Sequence, residues 1–452
     1  MIPVVTPAEM GEIDAAAPEP VEELIERAGA AVARTAVAML GGTYGRRVVV
    51  IAGKGNNGND GRAAARRLVR RGVAVLVVEA AEVPARIDGA DLVIDAAYGT
   101  GFRGSWDAPD TGDAKVLAVD IPSGVDGLTG AAGDGVLHAD RTVTFAAMKP
   151  GLLLPPGSVY PGEIEVADIG LDVSRARAHL VTAGDVSRWL VPRVADTHKW
   201  HAAVAVVAGS PGMSGAARLV TAAAMRTGAG YVRLSTPGGQ HDPGVPTEAV
   251  TRSLPPASWA ATVTKDLDRF KALVVGPGLG RSDATTAEVR ELVAEAQVPV
   301  VVDGDGLFAL AWSAEGAASL LRNRPGPTVL TPHDGEFALL AGRKPGADRL
   351  AAARALATAT GAVVLLKGPA TVVAEPAGAV LLSTAGDERL ATAGTGDVLS
   401  GIVGALLAQQ VPAFKAAAAG AWLHGRAAAS GPERGLVASD LPGLLPGVLE
   451  SL

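Results

Sequence analysis

The chain is expected to fold as two α/β units, each a parallel sheet covered by helices. Three observations predict this. Short β-branched runs alternate with Ala-rich segments of helical spacing along almost the whole chain, the pattern of parallel strands joined by helices. Aromatic residues are only 4% of the total, a mix that suits packed α/β layers better than an aromatic-rich β-sandwich. At 452 residues the chain is also longer than one ordinary domain.

Taken in order, Val48-Val49-Val50-Ile51 reads as a buried strand, residues 53–61 as a loop and residues 62–71 as a helix. Further strands are expected at 73–78, 92–94, 116–119 and 142–145, and the Pro/Gly-rich stretch 152–162 closes the first unit. A second series begins at Val204-Ala205-Val206-Val207 and continues at 232–234, 272–275, 298–302, 329–330 and 363–366. The polar stretch 183–201 separates the two series, which places the domains at 1–182 and 183–452. Residues 398–430 are Ala-rich and expected to be mostly helical, with His424 a surface or helix–helix residue rather than a ligand.

The formal net charge of −7 does not suggest a nucleic-acid-binding surface. Cysteine is absent, which removes disulfides, thiol nucleophiles and zinc–thiolate sites. Met1-Ile2-Pro3-Val4-Val5-Thr6 lacks the basic and apolar regions of a signal peptide. The apolar runs stop short of the about 18 residues that a membrane span needs. A cytoplasmic protein is the expectation.

The string Ala393-Gly394-Thr395-Gly396-Asp397 runs directly into an apolar helical stretch. Small residues let the backbone turn so that unpaired amides at a helix start point outward, which makes an anion site. An Asp there would repel a phosphate. It makes sense as a base that takes a proton from a hydroxyl about to attack a phosphoryl group. The plainer alternative is an ordinary Asp N-cap on a Gly-rich turn.

In the first unit, Gly53-Lys54-Gly55-Asn56-Asn57-Gly58-Asn59-Asp60-Gly61 lies between a strand and a helix, where open α/β sheets bind ligands. Its glycine spacing is not that of the dinucleotide fingerprint. Asp95, Asp120 and Lys149 close three chain-distant strands, and an Asp and a Lys facing one pocket can serve as base and acid. A structural salt bridge is the alternative. These motifs, with Glu26-Arg27-Ala28-Gly29, the segment from Asp95 to Ser105, the segment from Val119 to Gly124 and the segment from Phe145 to Gly151, resemble the N-terminal domain of the bifunctional NAD(P)H-hydrate repair enzymes. The resemblance implies a Rossmann-like NAD(P)H-hydrate epimerase domain. It implies that Asn56, Asn57, Gly58, Asn59, Asp60, Gly99, Thr100, Gly101, Phe102, Arg103, Gly104, Ser105 and Asp120 contact the hydrated dinucleotide. It also implies a potassium ion held by Asn57, Asp95 and Ser123, all oxygen ligands. Asn59 stands where the family usually has Gly.

In the second unit, four more strings follow strands: the segment from Gly209 to Ala216, Gly276-Pro277-Gly278-Leu279-Gly280, Thr331-Pro332-His333-Asp334-Gly335-Glu336 and Lys367-Gly368-Pro369-Ala370-Thr371. With the string at 393–397 they are similar to the ribokinase-like fold, in its NAD(P)H-hydrate dehydratase branch. The resemblance implies that Lys367, Gly368, Pro369, Ala370, Thr371, Gly394, Thr395 and Gly396 bind ADP or ATP with magnesium, and that Ala216, Gly278, His333 and Asp397 face the hydrate. Met213 stands where an aromatic is common, and Trp200-His201 where a Gly is common.

Together the resemblances imply two three-layer α/β/α domains that repair hydrated NADH and NADPH. The first interconverts the R and S hydrates, with Asp120 and Lys149 as acid and base. The second dehydrates the S hydrate at the expense of ADP or ATP, with Asp397 as base. The substrate carries a hydroxyl on the carbon next to the ring nitrogen, so its transfer to phosphorus turns a poor leaving group into a good one. Expected partners are the hydrates, the nucleotide and further copies of the chain in a homo-oligomer, with no nucleic acid and no membrane. Two other readings compete: a small-molecule kinase of the same fold, and a binding module acting as a scaffold in RNA processing.

Overall fold

A computed structural model describes residues 1–102, 104, 106–239, 242–311 and 316–452. The chain divides into two compact units, one spanning residues 2–178, the other residues 179–452 together with Met1. This division falls a few residues before the expected 182/183. The Val181 amide already donates to the Leu382 carbonyl, a residue of the second sheet, at 2.9 Å.

The first unit holds β1 (Arg47–Ala52), β2 (Ala74–Glu79), β3 (Leu92–Ala96), β4 (Lys115–Val119), β5 (Arg141–Phe145) and β6 (Glu163–Ala167). They lie in the order β2-β1-β3-β4-β5-β6, all parallel. Strand β6 lies beyond the Pro/Gly-rich stretch that was expected to close the unit. Alternate residues of β1 and β3 split between two cores, as the strand period of two requires. Val48, Val50, Leu92 and Ile94 pack under helices α2 (Val21–Leu40) and α3 (Asn56–Val69). Val49, Ile51 and Val93 pack with Ala80 and Ile87 of the connecting segments. The chain leaves β1 to one side for β2 and to the other for β3, so a crevice opens beyond the carboxyl ends of β1 and β3.

The second unit repeats the principle. Its sheet contains β7 (Ala203–Val207), β8 (Tyr231–Pro237), β9 (Val250–Leu254), β10 (Ala272–Val275), β11 (Val300–Val302), β12 (Thr328–Leu330), β13 (Val363–Leu366), β14 (Thr371–Ala374) and β15 (Val380–Ser383). These nine lie in the order β15-β14-β13-β12-β11-β10-β7-β8-β9, parallel from β9 to β13 and antiparallel at β14 and β15, and the short strand Ala178–Leu180 pairs beyond β15. Strands β9, β14 and β15 were not expected. Thr371, the last residue of the string that follows β13, begins β14. Helices α4 (Ser214–Arg226), α6 (Thr395–Ala408) and α7 (Ala413–Ser430) pack on this sheet through Val220, Val398, Ile402 and Leu423. Between α4 and α6 in the chain lies α5 (Asp334–Ala341). No helix among the described residues is long and apolar enough to cross a membrane.

Candidate functional site

The first crevice is a cleft of about 540 Å³, walled among others by Asn56, Asn57, Asp60, Thr100, Asp120 and Lys149. The expected loop 53–61 is mostly helix. Strand β1 ends at Ala52, three residues turn, and α3 begins at Asn56. The turn is tight because a side chain on Gly58 would sit 1.9 Å from the Gly53 carbonyl oxygen. Asn59 adopts ordinary helical backbone, its amide donating to the Gly55 carbonyl at 3.1 Å, so Gly is not required there. Gly99, Gly101 and Phe102 also line the cleft, whereas Gly58, Asn59 and Gly104 are not on its wall. Arg103 and Ser105 lie outside the described residues.

Asp120 follows β4 in left-handed backbone, φ 67°, which is uncommon for a non-Gly residue and tolerated best by Asp and Asn. Its Oδ1 accepts from Lys149 Nζ at 2.5 Å, Thr144 Oγ1 at 3.1 Å and the Phe145 amide at 3.4 Å. Lys149 is not at a strand end. It lies four residues past β5, is 1% exposed, and also donates to Thr144 Oγ1 and the Phe145 carbonyl. Two further carboxyls face this pair. Burial, then the charges of Asp120 and Asp14, push Asp60 up to about 8. Burial also raises Asp14, a residue of the first helix that no sequence motif marked.

Asp95 lies within β3, completely buried. It accepts from Ser123 Oγ at 2.6 Å, the Ser123 amide at 2.9 Å and the Ala97 amide at 3.3 Å. Burial raises its pKa, with Ser123 acting against it, and no basic side chain pairs with it among the described residues. Beside the cleft, both side-chain amide atoms of Asn57 are buried with no hydrogen-bond partner.

In the second unit the string 393–397 forms a helix start as expected. Gly394, φ 90°, is the N-cap of α6, and a side chain there would meet Leu219 Cδ1 at 2.6 Å. Thr395 turns its hydroxyl inward to the Leu390 and Thr392 carbonyls. Asp397 is in the first turn. Burial, then Asp303, pushes it up to about 7, against the pull of Lys367. Lys367 is not a snorkelling surface lysine. Its Nζ donates to Asp303 Oδ1 at 2.6 Å and lies 3.1 Å from where a Cβ on Gly396 would be. Burial pulls its pKa down, but Asp303 and then Glu336 outweigh that, and the net shift is upward.

Gly278 and Ala216 are neighbours, since a Cβ on Gly278 would be 2.9 Å from that of Ala216 and 3.0 Å from the Met213 carbonyl. His333 caps α5: its Nδ1 accepts from the amides of Gly335 and Glu336, and Glu336 Oε2 accepts from the His333 amide. That bonding leaves Nε2 to carry the ring proton, on a side chain 62% exposed. Gly368 and Pro369 are exposed and Ala370 is buried. Trp200 packs against Tyr231 and Phe270 beside the starts of β7, β8 and β10, so this departure from the family lies at the opposite ends of the strands from Asp397. His424 is a helix–helix residue, buried and pushed down to about 4 by burial and then by Lys367.

Sequence reading missed Asp303, Asp305 and Ser400, and gave Glu336 only as the end of a string with no role of its own. A signal for the first two existed: Asp303-Gly304-Asp305 directly follows β11, as the other polar turns follow their strands. Ser400 lay inside an apolar run and gave none.

Known proteins resemble the chain over most of its length. A family model described as NAD(P)H-hydrate dehydratase matches residues 204–446, and one described as YjeF-related protein N-terminus matches 21–85 and 78–151. A bifunctional NAD(P)H-hydrate repair enzyme of Moorella thermoacetica is 37% identical over 99% of this chain and 97% of its own length. One of Mycobacterium leprae is 40% identical over 86% of this chain and 84% of its own. Among solved structures, an ADP/ATP-dependent NAD(P)H-hydrate dehydratase of Bacillus subtilis co-crystallised with ATP and Mg²⁺ is 29% identical. It aligns with TM-score 0.50 over 60% of this chain and 97% of that one.

Proposed function

The chain belongs to the bifunctional NAD(P)H-hydrate repair enzymes, and from that premise we propose where each activity resides. The enzyme restores NADH and NADPH from their hydrates. Its first unit, residues 1–182 by function, interconverts the two epimers in the Asp120 cleft. Its second unit, 183–452, dehydrates one epimer beside Asp397 using ADP or ATP with magnesium.

The observation that carries this reading is the meeting of Asp397, Lys367 and the Gly394–Gly396 amides at the start of α6. Asp397 takes the proton of the hydrate's hydroxyl, whose oxygen bonds to the terminal phosphoryl group of the nucleotide as that group's bond to the rest of the nucleotide breaks, releasing AMP from ADP or ADP from ATP. The amides and the ammonium hold the charge that develops on that group. The ring-nitrogen lone pair next expels phosphate and restores the double bond. The His333 side chain is 62% exposed, with Nε2 3.6 Å from Glu336 Oε1, which supports a role as donor to the carboxamide once the ring turns from Glu336 to the substrate. In the first unit Asp120 and Lys149, joined at 2.5 Å, are the acid/base pair of the epimerisation.

Asn57, Asp95 and Ser123 fit a potassium ion. Two buried amide atoms of Asn57 lack partners, a buried carboxylate lacks a cation, and all the candidate donors are oxygens. Bound there, the ion would supply fixed positive charge next to Asn57, which lines the cleft. Binding to the folded state alone stabilises it by mass action. Added KCl is therefore expected to raise the melting temperature more than LiCl at equal ionic strength. The difference should vanish in Asp95→Asn, and its persistence there would place the ion elsewhere.

Apolar Leu76 and Val77 exposed on edge strand β2 support self-association into a homo-oligomer. Freely diffusing cofactor substrates support a cytoplasmic location. Incubating the pure protein with mixed hydrate epimers and ADP or ATP in turn tests the whole reading. Released phosphate should match reduced nicotinamide one for one, and a stable phosphoester product would make the protein a kinase instead.

A further inference from the structure

Lys367 and Asp397 present a conflict. A buried ammonium seeks a carboxylate, because leaving it unpaired in a poorly hydrated site is costly. A carboxylate that pairs with it becomes a poor proton acceptor. The groups that face Asp397 are Asp303 from the turn after β11, Asp305 at the start of the helix Asp305–Ala311, Lys367 from the end of β13, and Glu336 from α5. Glu336 is engaged in capping α5. The ammonium is instead taken by Asp303, which is almost fully buried and bound at both oxygens. Oδ1 accepts from Lys367 Nζ, and Oδ2 accepts from Ser400 Oγ, each at 2.6 Å. Ser400 is one turn beyond Gly396 on α6, and its hydroxyl also lies 3.0 Å from the Gly396 carbonyl. The bracket therefore ties the turn after β11 to the helix that carries Asp397.

We propose that Asp303 is a positioning residue for the dehydration: held by Ser400, it keeps the Lys367 ammonium under Gly396 and off Asp397, leaving that carboxylate free to accept the hydroxyl proton. The inference rests on Asp397 being the base. It adds that the base works only while a second carboxylate competes for the lysine. No bond is made or broken at Asp303.

The test is the pH profile of dehydration in a set of single variants. In the parent, kcat/KM should rise with pH to a plateau above about 7, where Asp397 is ionised. In Asp303→Asn the lysine turns to Asp397 and a like charge is lost. The rising limb should move down by one pH unit or more, and kcat should fall about 10- to 100-fold, within the range that general-base catalysis supplies. Ser400→Ala should move the limb the same way by less, and Ser400→Thr should restore it. Lys367→Met should move it the opposite way, since the competitor itself is gone. Nucleotide-induced shifts in melting temperature show which variants fold, and if Asp303→Asn does not, the two Ser400 variants carry the test. A limb unmoved in Asp303→Asn and Ser400→Ala, whatever happens to kcat, overturns the proposal, as does movement in the same direction as Lys367→Met. Asp397→Asn run alongside separates the two readings: if it turns over near the parental rate, Asp397 is not the base and the premise fails as well.

Discussion

Asp397→Asn should fold, bind ADP or ATP, and dehydrate hydrated NADH about 10²- to 10⁴-fold more slowly than the parent. The amide side chain keeps the size of the carboxylate and the start of α6, so the Gly394–Gly396 amides and Lys367 stay in place for the nucleotide. What is lost is a proton acceptor whose value of about 7 suits work near neutrality. The loss should fall on kcat rather than on the KM for nucleotide. Stability should change in a definite sense. The folded-state pKa lies above the value of 3.8 for an unperturbed Asp, so the folded chain holds a proton that the unfolded chain releases. The stability linked to that proton is complete below about 4 and is lost as pH rises through about 7. The Asn variant escapes this loss, so at pH 8 it should melt at or above the parental temperature. Turnover within threefold of the parent, measured by phosphate release from the S hydrate, would remove Asp397 from the mechanism.

Most of the fold was legible because buried parallel strands announce themselves as β-branched runs, and a Gly-rich turn after several of them marks the carboxyl end. The strands that escaped were of another kind. Strand β9 carries polar residues along an exposed edge, and β14 and β15 form an antiparallel addition whose first residue, Thr371, closed a string read only for its chemistry. The start of α3 escaped because Asn and Gly are poor helix formers. The position is decided by packing, since Gly58 must lie against the Gly53 carbonyl. The same distinction holds at the sites. Asp120, Lys149 and Asp397 lie in recognisable strings. Asp14 and Ser400 come from helix interiors, where only the folded arrangement brings them to the chemistry. Asp60 and Asn57 were visible as parts of a motif, but the burial that distinguishes them was not.

Asp120→Ala should leave an enzyme that repairs one hydrate epimer and strands the other. Supplied with an equal mixture and nucleotide, it should consume half of the substrate at the parental rate, because the dehydration site lies on a separate sheet. The remainder should decline only as fast as the epimers interconvert unaided. Epimerisation by the protein itself should drop about 10²- to 10⁴-fold. The Ala variant has a second effect that has to be separated from the first. It leaves the Lys149 ammonium, 1% exposed, without its carboxylate, and breaking a buried pair in this way costs roughly 3–5 kcal/mol. Asp120→Asn avoids most of that, since its side-chain oxygen still accepts from Lys149 and Thr144, and Asn tolerates the left-handed backbone at this position. Asp120→Ala combined with Lys149→Met removes the unpaired charge altogether and should recover melting temperature without recovering epimerisation. A variant that is stable and inactive identifies Asp120 as chemical rather than structural. If any of the three consumes both epimers at the parental rate, the Asp120–Lys149 pair is an ordinary buried salt bridge, and the proton transfers must be sought at Asp60 and Asp14 across the cleft.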